Sequence, residues 1–145
     1  MHDKPEPTRR TDYLHFTALP TRWADNDAYG HVNNVAYYAF FDSAVNRHLI
    51  ERGVLDIASS PVVGLVVETR CSYFAPMRFP DLVHVGMKVV HLGNSSVRYE
   101  IGLFRNDDAA ACAVGQFVHV YTDRANNRPA PIPAPVRDVL RTLVA

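Results

Sequence analysis

The stretch that decides the fold is Asp25-Asn-Asp-Ala-Tyr-Gly-His-Val-Asn-Asn34, which leads directly into the apolar run Val35-Ala-Tyr-Tyr-Ala-Phe-Phe41. Apolar residues then recur at intervals of three and four, which predicts a helix. Asn33 or Asn34 is suited to cap its first turn and Gly53 to end it, giving about 18 residues, or roughly 27 Å. A helix this apolar must be covered by other elements of the fold.

Strand patterns stand on both sides of this helix. Residues 14–23 alternate roughly between apolar and polar side chains before it. Four extended segments separated by turn signals follow it, at residues 62–74, 82–92, 97–103 and 109–121. We therefore expect an α+β fold in which one five-stranded antiparallel sheet, four of its strands in a meander, wraps around one long central helix. Val136, Leu140 and Leu143 indicate a short closing helix.

Size and charge limit the possible functions. The 145 residues, of which 48% are hydrophobic, suffice for a single domain, assigned to residues 14–145 behind a flexible tail at residues 1–13. Because 15 basic residues balance 15 acidic ones, we expect no nucleic-acid partner and no membrane surface as partner. The charged N-terminus resembles no signal peptide, so a cytoplasmic protein is expected.

Cysteine and histidine usage predicts neither a metal nor another cofactor. Cys71 and Cys112 lie in apolar surroundings without C-x-x-C spacing, which favours buried free thiols. The histidines outside the opening stretch lack spacings such as H-E-x-x-H. Apart from His2 near the N-terminus, they are His15, His48, His84, His91 and His119.

Two carboxylates, Asp25 and Asp27, come a few residues before the predicted helix start. The first N–H groups of a helix have no helical acceptor, and about half a positive charge is concentrated there. A carboxylate beside these donors can bind and attack an acyl carbonyl. This stretch is therefore the candidate active site.

The pattern D-x-D-x-x-G-H-V-N-N over residues 25–34 resembles the hotdog-fold thioesterases of the 4-hydroxybenzoyl-CoA thioesterase and acyl-CoA thioesterase group. The resemblance covers about residues 14–143 and includes residues 73–78, 91–97 and 118–123. It implies a hotdog fold, an acyl-CoA or aryl-CoA substrate that brings coenzyme A with it, and Asp27 as the catalytic carboxylate. The same string is also similar to plant acyl-ACP thioesterases, in which residues at the positions of Asp27 and His31 belong to the site.

A thioester needs little help with its leaving group, so one carboxylate can suffice. We expect N–H groups near Asn33 and Asn34 to hold the thioester oxygen while Asp27 attacks the carbonyl or deprotonates water. His31 either helps to hold that water or completes the loop through hydrogen bonds. Asp25 is expected to hold the loop in shape.

Substrate-binding residues are predicted on two grounds. Gly30 supplies a backbone conformation or a close approach that a side chain would obstruct, and Tyr29 and Tyr37 are suited to contact the acyl group. The resemblance places four polar residues near the pantetheine and nucleotide of the substrate. They are Arg78, Ser95, Ser96 and Arg98.

Alternatives to an acyl-CoA thioesterase are an acyl-ACP thioesterase and a non-catalytic acyl-CoA-binding domain, since a fold does not fix a function. A hotdog dehydratase and a serine hydrolase are less favoured, because the required histidine and carboxylate pair and the G-x-S-x-G motif are not identified. The open edges of a five-stranded sheet predict a homodimer or homotetramer.

Overall fold

A computed structural model describes residues 6–145 of the protein. Two short 3₁₀ turns, Arg10–Asp12 and Trp23–Asp25, flank the first strand. The strands and helices are β1 (His15–Pro20), α1 (Asn34–Glu51), β2 (Val62–Tyr73), β3 (Leu82–Leu92), β4 (Ser96–Arg105), β5 (Ala113–Asp123) and α2 (Ala134–Arg141). The predicted elements therefore all form.

The five strands make one antiparallel sheet in the order β1-β3-β4-β5-β2, which confirms the predicted α+β hotdog architecture. The predicted meander of four strands is wrong, because only β3, β4 and β5 are consecutive neighbours. The strand β2 pairs with β5, and β1 pairs with β3. The helix α1 connects β1 at one edge of the sheet to β2 at the other edge. The strand β2 is therefore separated from β3 by β4 and β5.

The central helix α1 has the predicted 18 residues. The Asn33 side chain caps it by accepting the N–H of Val35 at 3.0 Å, and Gly53 follows its end with φ +74°. Its buried side chains pack on one face of the sheet and include Phe40, Phe41 and Val45. Each such side chain contributes about 1.5–3 kcal/mol through burial, so the helix is held by packing.

The edge strand β2 departs from the alternation that its sequence suggests. A register shift between Val66 and Glu68 interrupts its pairing with β5. Such a bulge bends the strand and changes which face a side chain occupies. Leu65, Val66 and Val67 are all exposed in this part of the strand. Within residues 6–145, β2 pairs with β5 on one side, and no strand pairs with the backbone groups on its other side.

Part of the predicted N-terminal tail belongs to the folded domain, which corrects the boundary at residue 14. Tyr13 is only 6% exposed, and its ring covers Gly86 and Gly102, which face each other on β3 and β4. A Cβ at these glycines would lie 2.8 Å and 2.6 Å from that ring. The tyrosine hydroxyl also bonds to Thr8 Oγ1 at 2.7 Å. Residues 1–5 lie outside the described part of the chain.

Both cysteines are free thiols, Cys112 buried and Cys71 half-buried. Burial raises the pKa of Cys71 to about 11 and also raises that of Cys112, which keeps both protonated. Within residues 6–145, no helix is long and apolar enough to cross a membrane. The same residues contain no group of three or more side chains suited to hold a metal ion.

Candidate active site

The segment between the turn Trp23–Asp25 and α1 is a closed loop. Asp27 N–H donates to the His31 carbonyl at 2.8 Å, and Gly30 N–H donates to the Asp27 carbonyl at 3.1 Å. Gly30 has φ +76°, and nothing lies within 4 Å of a Cβ built there, so its backbone conformation is what requires glycine. Val32 N–H donates to the Met77 carbonyl at 2.7 Å, which ties the loop to the segment after β2.

Asp25 holds the beginning of this loop. Its carboxylate is 7% exposed and accepts the N–H of Arg22 at 2.8 Å and the guanidinium of the same residue at 2.8 Å and 3.2 Å. Burial alone would raise the pKa of Asp25, but the hydrogen bonds from Arg22 outweigh it and the pKa is lowered. With its oxygens occupied in this way, Asp25 has a structural role.

Asp27 is held differently. Its Oδ1 accepts the N–H of Tyr29 at 2.8 Å and, more weakly, that of His31 at 3.4 Å. Its Oδ2 accepts no hydrogen bond within residues 6–145. The side chain is half-buried and lines a groove of about 380 Å³. The groove is formed by Asp27, His31, Val32, Asn34, Tyr37, Tyr73, Phe74, Ala75 and Pro76.

Most backbone N–H groups at the helix start are engaged. Asn33 N–H, one of the two expected donors, is taken by the Asp25 carbonyl at 2.7 Å, which corrects its assignment as a carbonyl-binding group. The next donors along α1 are also taken, because Val35 N–H binds Asn33 Oδ1 and Ala36 N–H binds the Asn33 carbonyl. In the described chain this leaves Asn34 N–H, whose residue lines the same groove as Asp27.

Two tyrosines form the aromatic wall of the groove. Tyr37 is buried, and its ring packs edge-on against Tyr73 with 4.9 Å between centroids. Burial raises the pKa of Tyr37 to about 12, so its hydroxyl stays neutral. The Tyr73 hydroxyl donates to the Asn34 carbonyl at 3.5 Å.

Sequence reasoning missed residues 73–76 as lining residues. The motif at residues 73–78 is visible in the sequence, but its position beside the helix start depends on β2 lying at the sheet edge opposite β1. The sequence feature that could have identified these lining residues is the end of a strand followed by Ala75 and Pro76, since irregular backbone after a strand commonly lines a site.

Three predicted substrate-binding residues lie near the loop but do not line the groove. The Tyr29 side chain is 85% exposed, and the residue contributes only its N–H to Asp27. Gly30 contributes the positive-φ backbone conformation of the loop and no side chain. Arg78 is exposed just beyond Pro76, with its N–H bound to Asp81 Oδ2 at 3.0 Å.

The other three lie at the opposite end of the sheet. Tyr73 pairs with Ala113, which pairs with Leu103, so the groove adjoins the end of β4, whereas Ser95 and Ser96 precede or begin that strand. Seven residues of strand separate these ends by roughly 23 Å. Arg98 donates to Gln116 Oε1 at 3.0 Å. Within one chain, Ser95, Ser96 and Arg98 therefore do not meet Asp27.

A larger hollow of about 630 Å³ lies on the other side of the helix start, where it is bordered by Asp25, Asn33 and Phe40. The Asp25 carboxylate at this hollow is already bound to Arg22, and the Asn33 side chain caps α1. The hollow therefore offers space but no unbound acid. The smaller groove is lined instead by Asp27, whose Oδ2 accepts no hydrogen bond from residues 6–145, and by Asn34.

Comparison with known proteins identifies the family of this chain. The family model of the thioesterase-like superfamily matches residues 21–140. The PA5185 protein from Pseudomonas aeruginosa is 55% identical, with 96% of this chain and 97% of that chain covered and a TM-score of 0.94. The PA2801 protein from Pseudomonas aeruginosa is 29% identical, with coverages of 88% and 98% and a TM-score of 0.82.

A more distant neighbour is a 1,4-dihydroxy-2-naphthoyl-CoA thioesterase from Synechocystis, which is 18% identical over 87% of this chain and 94% of that one, with a TM-score of 0.79. At that identity the likeness concerns the fold alone. Because the family model spans most of the chain, from just after β1 into α2, the resemblance predicted from the opening motif is confirmed. The chain belongs to the thioesterase-like superfamily.

Proposed function

We propose that this thioester hydrolase cleaves acyl-CoA or aryl-CoA thioesters to a free acid and coenzyme A, with Asp27 as the catalytic carboxylate. One observation carries the proposal. Asp27, with one oxygen fixed by loop N–H groups and the other without a hydrogen bond from the described residues, shares a groove with Asn34, whose N–H begins α1. These are an acid group and an oxyanion donor within one cleft.

In this mechanism Asn34 N–H binds the thioester oxygen and polarises the carbonyl. Acting as a base, Asp27 takes a proton from water, the resulting hydroxide adds to the carbonyl carbon, and the C–S bond breaks as the thiolate leaves and is protonated. Acting as a nucleophile, Asp27 instead forms a mixed anhydride as the C–S bond breaks, and water then hydrolyses the anhydride. His31, which lines the groove and donates its backbone N–H to Asp27, is placed to position that water.

The groove favours a flat or short acyl group. Tyr37 and Tyr73 provide an aromatic wall, and aromatic side chains stack well with aryl rings. The Synechocystis neighbour, named for an aryl-CoA substrate, is consistent with this preference. Arg78, exposed beyond the groove, is proposed to attract the phosphates of coenzyme A.

A homodimer, or a homotetramer built from it, accounts for the remaining predicted residues. If β2 pairs antiparallel with β2 of a second copy about its bulge, Tyr73 of one copy lies near Val62 of the other. The sheet end that carries Ser95, Ser96 and Arg98 in one copy then lies on the side of the groove in the other. Exposed Leu65, Val66 and Val67 supply the apolar contact at this edge.

The test is thiol release from short, long and aryl thioesters, each carried on coenzyme A and on acyl carrier protein. Wild-type protein is compared with Asp27→Asn and with Asp107→Asn, a matched change at an exposed turn. Asparagine keeps Oδ1 as an acceptor for Tyr29, so the loop is retained while turnover falls about 100-fold to 10,000-fold. The control should match wild type.

Each outcome has a clear reading. Turnover of Asp27→Asn within a few-fold of wild type would remove Asp27 from the mechanism. Release from carrier protein alone would favour the acyl-ACP alternative. Saturable binding of acyl-CoA without any thiol release would support the non-catalytic binding domain and contradict the proposal.

A further inference from the structure

Trp23 and Phe79 form an exposed aromatic pair beside the loop that carries Asp27. Trp23 begins the turn Trp23–Asp25, and Phe79 lies in the connection between β2 and β3. Their rings pack edge-to-face with 6.0 Å between centroids, yet Trp23 is 76% exposed and Phe79 is 38% exposed. Large apolar side chains that contact each other at the surface commonly mark a binding site. We call them the Trp23–Phe79 pair.

Asn26 fixes this pair to the loop of Asp27. Its backbone N–H donates to the Trp23 carbonyl at 3.3 Å, and its side-chain Oδ1 accepts the Phe79 N–H at 3.1 Å. Asp27 follows Asn26 directly in the chain. A ligand group that packs on the two rings is therefore held at a defined position relative to the Asp27 carboxylate.

Arg78 supplies a positive charge next to the pair. Its side chain is exposed, and its guanidinium has no hydrogen-bond or ion-pair partner in the described part of the chain. The guanidinium of Arg22, by contrast, is bound to Asp25 at 2.8 Å. The Asp81 carboxylate accepts the Arg78 backbone N–H and the side-chain amide of Asn106, both at 3.0 Å. Arg78 therefore has a guanidinium available for an anion.

These groups follow one another away from the Asp27 groove. Pro76 lines the groove, and Arg78 and Phe79 are two and three residues further along, so their Cα atoms lie within about 11 Å of that of Pro76. An acyl-CoA thioester has its groups in the same order. The thioester and pantetheine arm come first, the diphosphate follows, and the adenine ring lies at the far end.

We propose that the Trp23–Phe79 pair stacks the adenine ring of coenzyme A while Arg78 binds the adjoining diphosphate, so that this surface selects the carrier of the acyl group. Adenine stacks on aromatic side chains, and a guanidinium binds phosphate oxygens through charge-assisted hydrogen bonds. The inference rests on the proposed hydrolysis of acyl-CoA thioesters. It favours coenzyme A over acyl carrier protein, because the phosphopantetheine arm of a carrier protein ends on a serine and has no adenine.

The fluorescence of Trp23 tests the stacking, since the chain has no second tryptophan. Coenzyme A and adenosine 3′,5′-bisphosphate should quench the emission saturably, with excitation at wavelengths that adenine does not absorb. Pantetheine, which has neither phosphate nor adenine, should leave the emission unchanged. Arg78→Gln should weaken the binding of both nucleotides about tenfold, whereas Arg47→Gln, at an exposed arginine of α1, should not change it.

Thiol release separates the nucleotide contact from the chemistry. Loss of one stacked base lowers affinity about 5-fold to 140-fold, so Trp23→Ala should raise KM for an acyl-CoA by at least about fivefold with kcat within about twofold. The kcat/KM for the same acyl group on N-acetylcysteamine should not change. Trp23→Phe keeps an aromatic face and should recover most of the lost affinity. Leu14→Ala, which removes an exposed apolar side chain before β1, should match wild type.

The proposal is overturned if coenzyme A leaves the Trp23 emission unchanged, or if Trp23→Ala and Leu14→Ala have the same KM for acyl-CoA. A lower molecular mass of Trp23→Ala in light scattering would make the pair a subunit contact and would also overturn it. Should Trp23→Ala fail to fold, the quenching and the Arg78→Gln measurement decide. Saturable quenching without any thiol release would contradict the proposed hydrolysis and leave the nucleotide site in place.

Discussion

Replacing Asn34 by proline removes its backbone N–H group together with its side-chain amide. Asn34 is the first residue of α1, a position where proline is favoured because its missing N–H has no helical acceptor. The preceding Asn33 has φ −61° and ψ 140°, the extended conformation that a following proline requires. The Asn34 carbonyl, which accepts from Tyr73, is retained. Helix and groove should therefore survive the change.

The expected loss is catalytic. Removing one oxyanion donor costs about 100-fold to 1,000-fold in turnover, or about 2.7–4 kcal/mol of transition-state stabilisation. The effect should appear in kcat more than in KM, because the donor binds the charged oxygen of the transition state more strongly than the carbonyl of the substrate. Thiol release measured over a range of substrate concentrations separates the two constants, and circular dichroism checks the helix.

Asn34→Ala is the matched control, since it discards the same side chain but keeps the backbone donor. Its turnover should stay within about threefold of wild type, in line with the side chain having no role in the proposed chemistry. A folded Asn34→Pro protein as active as Asn34→Ala would show that the helix start does not hold the thioester oxygen. The mechanism would then need a donor from elsewhere.

Three other outcomes are expected. Tyr13→Ala should cost about 3–5 kcal/mol in urea unfolding, as truncating a buried aromatic ring does, whereas Tyr13→Phe should cost about 1 kcal/mol; equal stability of all three proteins would contradict the packing of the N-terminal segment. Because burial lowers the pKa of His48 and of His119 to about 4, stability should be full above pH 6.5 and decline as pH falls from there towards 4, by up to about 1.4 kcal/mol per pH unit for each; a flat profile in urea unfolding between pH 7 and 5 would refute it. Val67→Asp should convert the proposed dimer to a monomer in light scattering, and an unchanged mass would place the subunit contact elsewhere.

Local signals in the sequence predicted α1 well. The capping side chain of Asn33 and the terminating Gly53 act within one turn of the residues they affect, so both helix ends could be placed without knowledge of the tertiary structure. The position of Asp27 just before the helix followed from the same signals. The pairing of β2 with β5 did not follow from local signals, because strand pairing depends on residues far apart in the sequence. Here α1 crosses the sheet before β2 begins.

The candidate site was predictable where it is continuous in sequence. Its loop, including Gly30 and Asp27, lies in one motif, but Tyr73 arrives from the far edge strand and needs the sheet order to be known. Asn33 shows a finer limit. Its N–H belongs to the helix start by position, yet it donates to the Asp25 carbonyl, and this competition for a donor depends on the tertiary structure of the loop.

The packing of Tyr13 on two glycines has an evolutionary consequence. Gly86 and Gly102 face each other under one ring, so a methyl group at either position would occupy the space of that ring. The three sites are therefore constrained to change as a group. In homologous sequences, a side chain at either glycine position should coincide with a small residue in place of the tyrosine, and a lineage that kept the aromatic while gaining an alanine would have had to reroute its N-terminal segment.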